Sequence, residues 1–120
     1  ADLLISLHAD GAPAELNGFH VIHPALRPGY TDSTAEPSRT LAGLVRDELL
    51  DAGRPASSYA GQDGLHERDD IGTVNLAGAP AVMVEAGNLQ NSDDAAWLTS
   101  LEGQAELADA LAAAVVAFLR

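Results

Sequence analysis

Two short apolar runs stand out along the chain, Leu3 to Leu7 and Ala81 to Val84. Near-continuous runs of this length are the pattern of strands covered on both faces, as in parallel sheets, because a half-buried strand alternates instead. The first run ends at His8 and the second is closed by Glu85. Between them, Gly18 to Ile22 alternates well enough for another strand, and His23 to Asp32 reads as loop, broken by Pro24, Pro28 and Gly29. Ser33-Thr34-Ala35-Glu36 has capping-box spacing. Leu41, Leu44, Val45 and Leu49 then recur at helical intervals until Gly53 supplies a stop. Arg54 to Arg68 is polar and glycine-rich, the character of a surface loop, and Thr73 to Leu76 is a candidate short strand. Gly87 to Asn91 reads as a turn. Ser92-Asp93-Asp94 opens a helix with acidic residues where the helix dipole favours them, and Leu107, Leu111, Val115 and Leu119 stripe a longer terminal helix.

Composition narrows this picture. A chain of 120 residues has room for one core. With 47% hydrophobic but only 4% aromatic residues, that core is built from Leu, Val, Ile and Ala, which favours helices on a sheet of small residues. Six Lys+Arg against eighteen Asp+Glu give a net charge of −12, which opposes binding to nucleic acid or anionic lipid, since both require positive neutralising charge. No apolar run approaches the roughly 20 residues of a membrane-spanning helix; Leu107 to Leu119 is too short and contains Asp109. The absence of Cys removes disulfides, thiolate ligands and a Cys nucleophile together. Ala1 to Leu7 has neither the basic start nor the small-residue cleavage site of a signal peptide. It reads as a chain already inside a strand, and so as part of a longer domain.

In open α/β sheets, ligands bind beyond the carboxyl ends of the strands. If the two apolar strands are parallel neighbours, His8 and Glu85 converge at one such edge. His8 alone would equally suit a core histidine hydrogen-bonded to backbone. For Glu85 the bland reading is weaker, because a carboxylate directly after four buried apolar residues is desolvated, which raises its pKa toward catalytically useful values. His20, His23 and His66 form no pair with ligand spacing and read as surface or structural residues. Arg68, followed by Asp69 and Asp70, reads as an exposed ion pair, or as a cation offered to a carboxylate substrate. No Gly-x-Ser-x-Gly elbow or phosphate-cradling glycine loop is present. A His and a Glu on a sheet edge remain, a combination suited to metal-assisted hydrolysis if further ligands exist.

Ser6-Leu7-His8-Ala9-Asp10 resembles the Ser-Ile/Leu-His-Ala-Asn/Asp motif of the zinc-dependent N-acetylmuramoyl-L-alanine amidases, the family-3 amidase group. Pro80-Ala81-Val82-Met83-Val84-Glu85-Ala86-Gly87 with Asn91 resembles the Pro-Ala-x-x-x-Glu-x-Gly-x-x-x-Asn signature around that family's catalytic glutamate. Gly18 to Ile22, the helix from Leu41, and Arg68 to Leu76 resemble the intervening elements in order and spacing. Gly87-Asn88 stands where Gly-Phe is usual, a form similar to the actinobacterial branch. The resemblance implies an α/β fold: a mixed, mainly parallel twisted sheet flanked by helices on both faces. Residues 1–120 would be the C-terminal portion of a single catalytic domain whose N-terminal strands are missing from this chain.

It further implies His8 as a zinc ligand, Glu85 as catalytic acid/base, and Arg68 and Asn91 as substrate-binding residues. The family's other two zinc ligands, a His in a Gly-His-Gly motif and a Glu, would lie upstream of Ala1. The implied reaction is hydrolysis of the amide joining the lactyl group of N-acetylmuramic acid to L-alanine of the peptidoglycan stem peptide, in an exported protein acting in the periplasm, cell wall or outside the cell. The alternative is a non-catalytic, zinc-free domain of the same fold that binds peptidoglycan or regulates. Presence or absence of the upstream ligands would discriminate the two.

Overall fold

The Ala81 run does form a strand covered on both sides, and it is the spine of the sheet. The structure is a computed structural model that describes residues 1–120. Four strands, β1 (Leu4–Asp10), β2 (His20–Pro24), β3 (Leu65–Arg68) and β4 (Ala81–Asn88), are ordered β1-β4-β2-β3. β1 runs parallel to β4, β2 antiparallel to β4, and β3 parallel to β2, so the sheet is mixed and mainly parallel. Two long helices, α1 (Ala35–Asp51) and α4 (Leu101–Leu119), accompany the shorter α2 (Gly72–Asn75) and α3 (Ser92–Leu98).

Period-two alternation assigns each strand residue to a face. Phe19, Val21, Val82, Val84 and Ala86 pack with Leu41, Val45 and Leu49 of α1 and Leu107, Ala110 and Ala114 of α4 in the main core. Ile22, Ala81 and Met83 point the other way and meet Val74 of α2 in a small second cluster. Helices therefore lie on both faces, but the second face is covered only at one end. On α4 the buried line runs through Gly103, Leu107, Ala110 and Ala114; Leu119, on the expected leucine stripe, is exposed.

Several sequence expectations are corrected. The Leu3 to Leu7 run is not covered on both faces: β1 is an edge strand, with Leu4 and Leu7 exposed. His8 and Glu85 lie inside their strands rather than beyond their ends, because β1 continues to Asp10 and β4 to Asn88. β2 likewise runs on through His23 and Pro24. β3 forms within the stretch expected to be loop, since Asp63 and Gly64, both at positive φ, close a tight hairpin in which Gln62 pairs with Leu65. Thr73 to Leu76 is helical: Asn75 accepts from the backbone N–H of Ile71 and donates to the Arg68 carbonyl, closing a single turn. The capping box is not made. Thr34, not Ser33, precedes the first turn of α1, and no side chain caps that helix. Its other end is conventional, with Gly53 at φ 82° and backbone N–H groups of Gly53 and Arg54 returning to the Leu50 and Leu49 carbonyls.

Leu49 and Leu50 offer a direct test of this packing. Leu49 is fully buried whereas Leu50 is 45% exposed. Leu49→Ala should cost about 2–5 kcal/mol in denaturant unfolding, and Leu50→Ala should stay within about 0.5 kcal/mol.

The histidines of β2 and β3 make stability fall with acid. Burial pushes His20 from 6.5 down to about 4, and lowers His23 and His66 in the same direction. As pH falls below 6.5 the unfolded chain takes up protons that the folded chain refuses, so stability declines until His20 itself titrates near 4 and is unaffected above that window. Glu85, raised by burial, works in the opposite sense in the lower part of the window, and Asp10 contributes only below its ordinary 3.8. Urea unfolding at about pH 7 and pH 5 should show this loss, and His20→Gln should reduce it; an undiminished loss in that variant would exclude His20 as a source.

Candidate functional site

The open face of the sheet carries a row of polar side chains on three neighbouring strands. Glu85 on β4 is in direct register with His8 on β1 and with His20 on β2. Parallel pairing on one side and antiparallel pairing on the other put all three on one face, level with each other. His8 Nδ1 lies 4.0 Å from Glu85 Oε1, and its Nε2 is 3.1 Å from Ser6 Oγ. The imidazole of His8 is half exposed, whereas the Glu85 side chain is only 15% exposed. The second Glu85 oxygen, Oε2, is buried and has no hydrogen-bond partner. Burial is the main cause that holds the Glu85 carboxyl above its usual range; the nearby Asp10 charge adds to this and His8 opposes it. A carboxylate so placed is poised to accept a proton.

The rest of the wall was not legible in the sequence. Tyr59, from the loop after α1, donates its hydroxyl to Asp10 Oδ2 at 2.6 Å, a bond that lowers the Asp10 pKa and, after burial, helps to raise that of the phenol. The Tyr59 ring stands edge-on to His20 at 6.1 Å, and His66 of β3 lies 5.4 Å from His20 on its other side. His20, read as surface or structural, is therefore a buried member of the site row. Only the strand pairing reveals it, because 65 residues separate it from Glu85 along the chain.

Between His8 and Asp10 the β1–β4 register shifts, so that Asp10 opposes Asn88. Asn88 itself points inward. It is fully buried, donates to the carbonyls of Pro13 and Leu16 and accepts from the backbone N–H groups of Ala12 and Gln90. The departure from Gly-Phe at Gly87-Asn88 thus has a structural role: all four hydrogen-bonding positions of the amide hold the loop that borders the site. Asn91 is committed to similar work. Its oxygen caps α3 through the N–H groups of Asp93 and Asp94, and its nitrogen donates to the Ala14 carbonyl. Arg68 is in register with Pro24, four residues along β2 from His20, and makes a two-point ion pair with Asp70 at 2.7 Å. The structure brings His8 and Glu85 together and places Arg68 and Asn91 outside their row.

The donor set in this chain fits part of a zinc site. His8 offers an accessible imidazole beside an acidic oxygen, but no three His, Cys, Asp or Glu side chains are placed to hold a metal together. Catalytic zinc sites take three protein ligands and a water. Of such a set, these residues would offer the His8 imidazole alone.

Residues 1–117 match the family model described as N-acetylmuramoyl-L-alanine amidase. The chain is 44% identical over 116 residues to the N-acetylmuramoyl-L-alanine amidase Rv3717 of Mycobacterium tuberculosis, an alignment covering 97% of this chain and 47% of the relative. Among solved structures, the N-acetylmuramyl-L-alanine amidase Ami1 of Mycobacterium smegmatis superposes with a TM-score of 0.90 at 39% identity, covering 98% of this chain and 54% of the other. The amidase AmiC2 of Nostoc punctiforme shares the fold at a TM-score of 0.77 and 23% identity, over 99% of this chain and 58% of its own. The chain spans about half the length of the relatives it matches. From the two motifs, their register on adjacent strands and a match over almost every residue, it follows that the chain belongs to the N-acetylmuramoyl-L-alanine amidase family.

Proposed function

We propose that this chain supplies the catalytic glutamate and one metal ligand of a zinc-dependent peptidoglycan amidase. The observation that carries the reading is Glu85: a largely buried carboxylate, unpartnered at Oε2, directly beside His8 on the open face of the sheet. The reaction is hydrolysis of the amide between the lactyl group of N-acetylmuramic acid and L-alanine. His8 would hold zinc with a further His and a Glu contributed by sequence upstream of Ala1. Bound zinc would polarise the scissile carbonyl and acidify a water. Glu85 takes the proton of the attacking water and delivers it to the leaving amine, the two transfers an amide hydrolysis needs. His20, neutral near pH 7 because burial lowers it to about 4, puts no positive charge opposite Glu85. Asp10 and Tyr59 close one side of the site.

Arg68 would meet a substrate carboxylate only by releasing Asp70, and Asn91 serves the site through the loop and helix it holds. A peptidoglycan substrate would be met by an exported protein, acting in the periplasm, the cell wall or outside the cell. No helix is long and apolar enough to cross a membrane.

Glu85→Gln in the intact protein keeps size and most hydrogen bonding but removes the proton acceptor. Zinc content should persist while release of peptide from muropeptide falls about 10²- to 10⁴-fold. His8→Ala should lose zinc and activity together. Activity of Glu85→Gln within about threefold of the parent at full zinc occupancy would remove Glu85 as the base. If the zinc-loaded parent binds peptidoglycan without releasing peptide, the protein is instead a binding module on an amidase fold.

A further inference from the structure

His20 is an expensive residue for the place it occupies. Its ring is 4% exposed, and its Nδ1 is buried without a hydrogen-bond partner. A buried polar atom left unpaired costs stability, and an apolar side chain here would avoid that loss. Of the two ring nitrogens only Nδ1 is sealed in this way, so Nε2 lies on the side of the ring that solvent still reaches. The single proton of the neutral imidazole therefore belongs on Nε2, because a buried orphan N–H is tolerated less well than a bare lone pair. The result is a neutral hydrogen-bond donor on the open face of the sheet, level with Glu85.

The ring is also held in place. Tyr59 stands edge-on to it at 6.1 Å and is itself tied to Asp10 Oδ2 at 2.6 Å, while His66 packs at 5.4 Å on the other side. A donor fixed in advance recognises a substrate oxygen without an ordering cost on binding. The row then gives the direction in which that oxygen lies. His8, Glu85 and His20 sit on three neighbouring strands, each about 4.8 Å from the next. In the proposed hydrolysis the scissile carbonyl is on the His8 side, and the leaving nitrogen meets Glu85. The next carbonyl, that of the leaving residue itself, follows through its Cα within about one strand spacing, on the His20 side.

From this arrangement we infer that His20 is a further substrate-binding residue of the site, whose Nε2–H donates to the carbonyl oxygen of L-alanine in the leaving peptide. The contact holds the leaving nitrogen against Glu85, where the second proton transfer takes place. It rests on the amidase reading for the identity of the peptide.

The test joins NMR and kinetics on the intact, zinc-loaded protein with a muropeptide. Nitrogen NMR of the free protein should show the His20 ring as the Nε2–H tautomer. Saturating the Glu85→Gln protein with uncleaved muropeptide should move the Nε2–H resonance downfield. His20→Met removes the donor and the orphan nitrogen together, so urea unfolding should find it at least as stable as the parent. Its kcat/KM should nevertheless fall about tenfold, the scale of one hydrogen bond. His20→Gln, whose side-chain amide can place an N–H near the position of Nε2, should recover most of that loss. A residue that served packing alone would instead show activity following stability. An Nδ1–H tautomer, an Nε2 resonance that muropeptide leaves in place, a His20→Met protein as active as the parent, or a His20→Gln protein as slow as His20→Met each overturns the contact. Should His20→Met not fold, the two NMR measurements decide. A parent that releases no peptide overturns the amidase reading and the contact with it, whereas an active parent matched by His20→Met overturns the contact alone.

Discussion

The site depends on the position of β4 between a parallel and an antiparallel neighbour. Register partners in a sheet share a face, so this one arrangement sets Glu85 level with His8 on one side and His20 on the other. A slip of one residue in either pairing would send a member of the row to the opposite face, into the aliphatic core. The apolar residues that alternate with Glu85 prevent the slip. Val82, Val84 and Ala86 are buried against α1 and α4, and moving them to the open face would expose them together with their helix contacts.

Asp94 completes that constraint at the end of β4. Its buried carboxylate accepts from the backbone N–H groups of Gly18 and Asn88, both at 2.9 Å, and lies 3.4 Å from Arg54, whose guanidinium stacks over Trp97. One charge thus ties the approach to β2, the end of β4, α3 and the chain after α1. A side chain at position 18 would run into the Ala56 carbonyl, and the φ of 100° there also requires glycine. Asn88 and Asn91 extend the same hub to the loop between β1 and β2, so the rim of the site is held by polar side chains fully used within the chain.

The two faces of the sheet divide stability from chemistry. The helix-covered face holds nearly all the buried aliphatic surface and supplies the hydrophobic driving force. The other face, covered only by α2 at one end, is free to carry a desolvated carboxylate, exposed His8 and unsatisfied imidazole nitrogens. Such groups cost stability, and their grouping on one face is the pattern expected where a site rather than a core is being built.

How much was legible follows from which interactions are local. The β4 run, the α1 periodicity, the Gly53 stop and the acidic start of α3 are signals within a few residues, and each formed as expected. His8 and Glu85 could be named because short motifs surround them. Arg54 to Arg68 failed because β3 gains its strand character from pairing with β2, and Thr73 to Leu76 failed because Asn75 folds it back on Ile71 and Arg68. The apolar β1 run was misjudged as doubly covered because composition reports what a strand can bury, while its place in the strand order decides what is buried. By itself the sequence determined the class of fold and the family, and singled out His8 and Glu85 as the candidates for chemistry. Tertiary structure alone decided that His20, Tyr59 and Asp10 join them and that Arg68 and Asn91 stand apart, because strand register and loop closure act between residues far apart in the chain and leave no periodic trace along it.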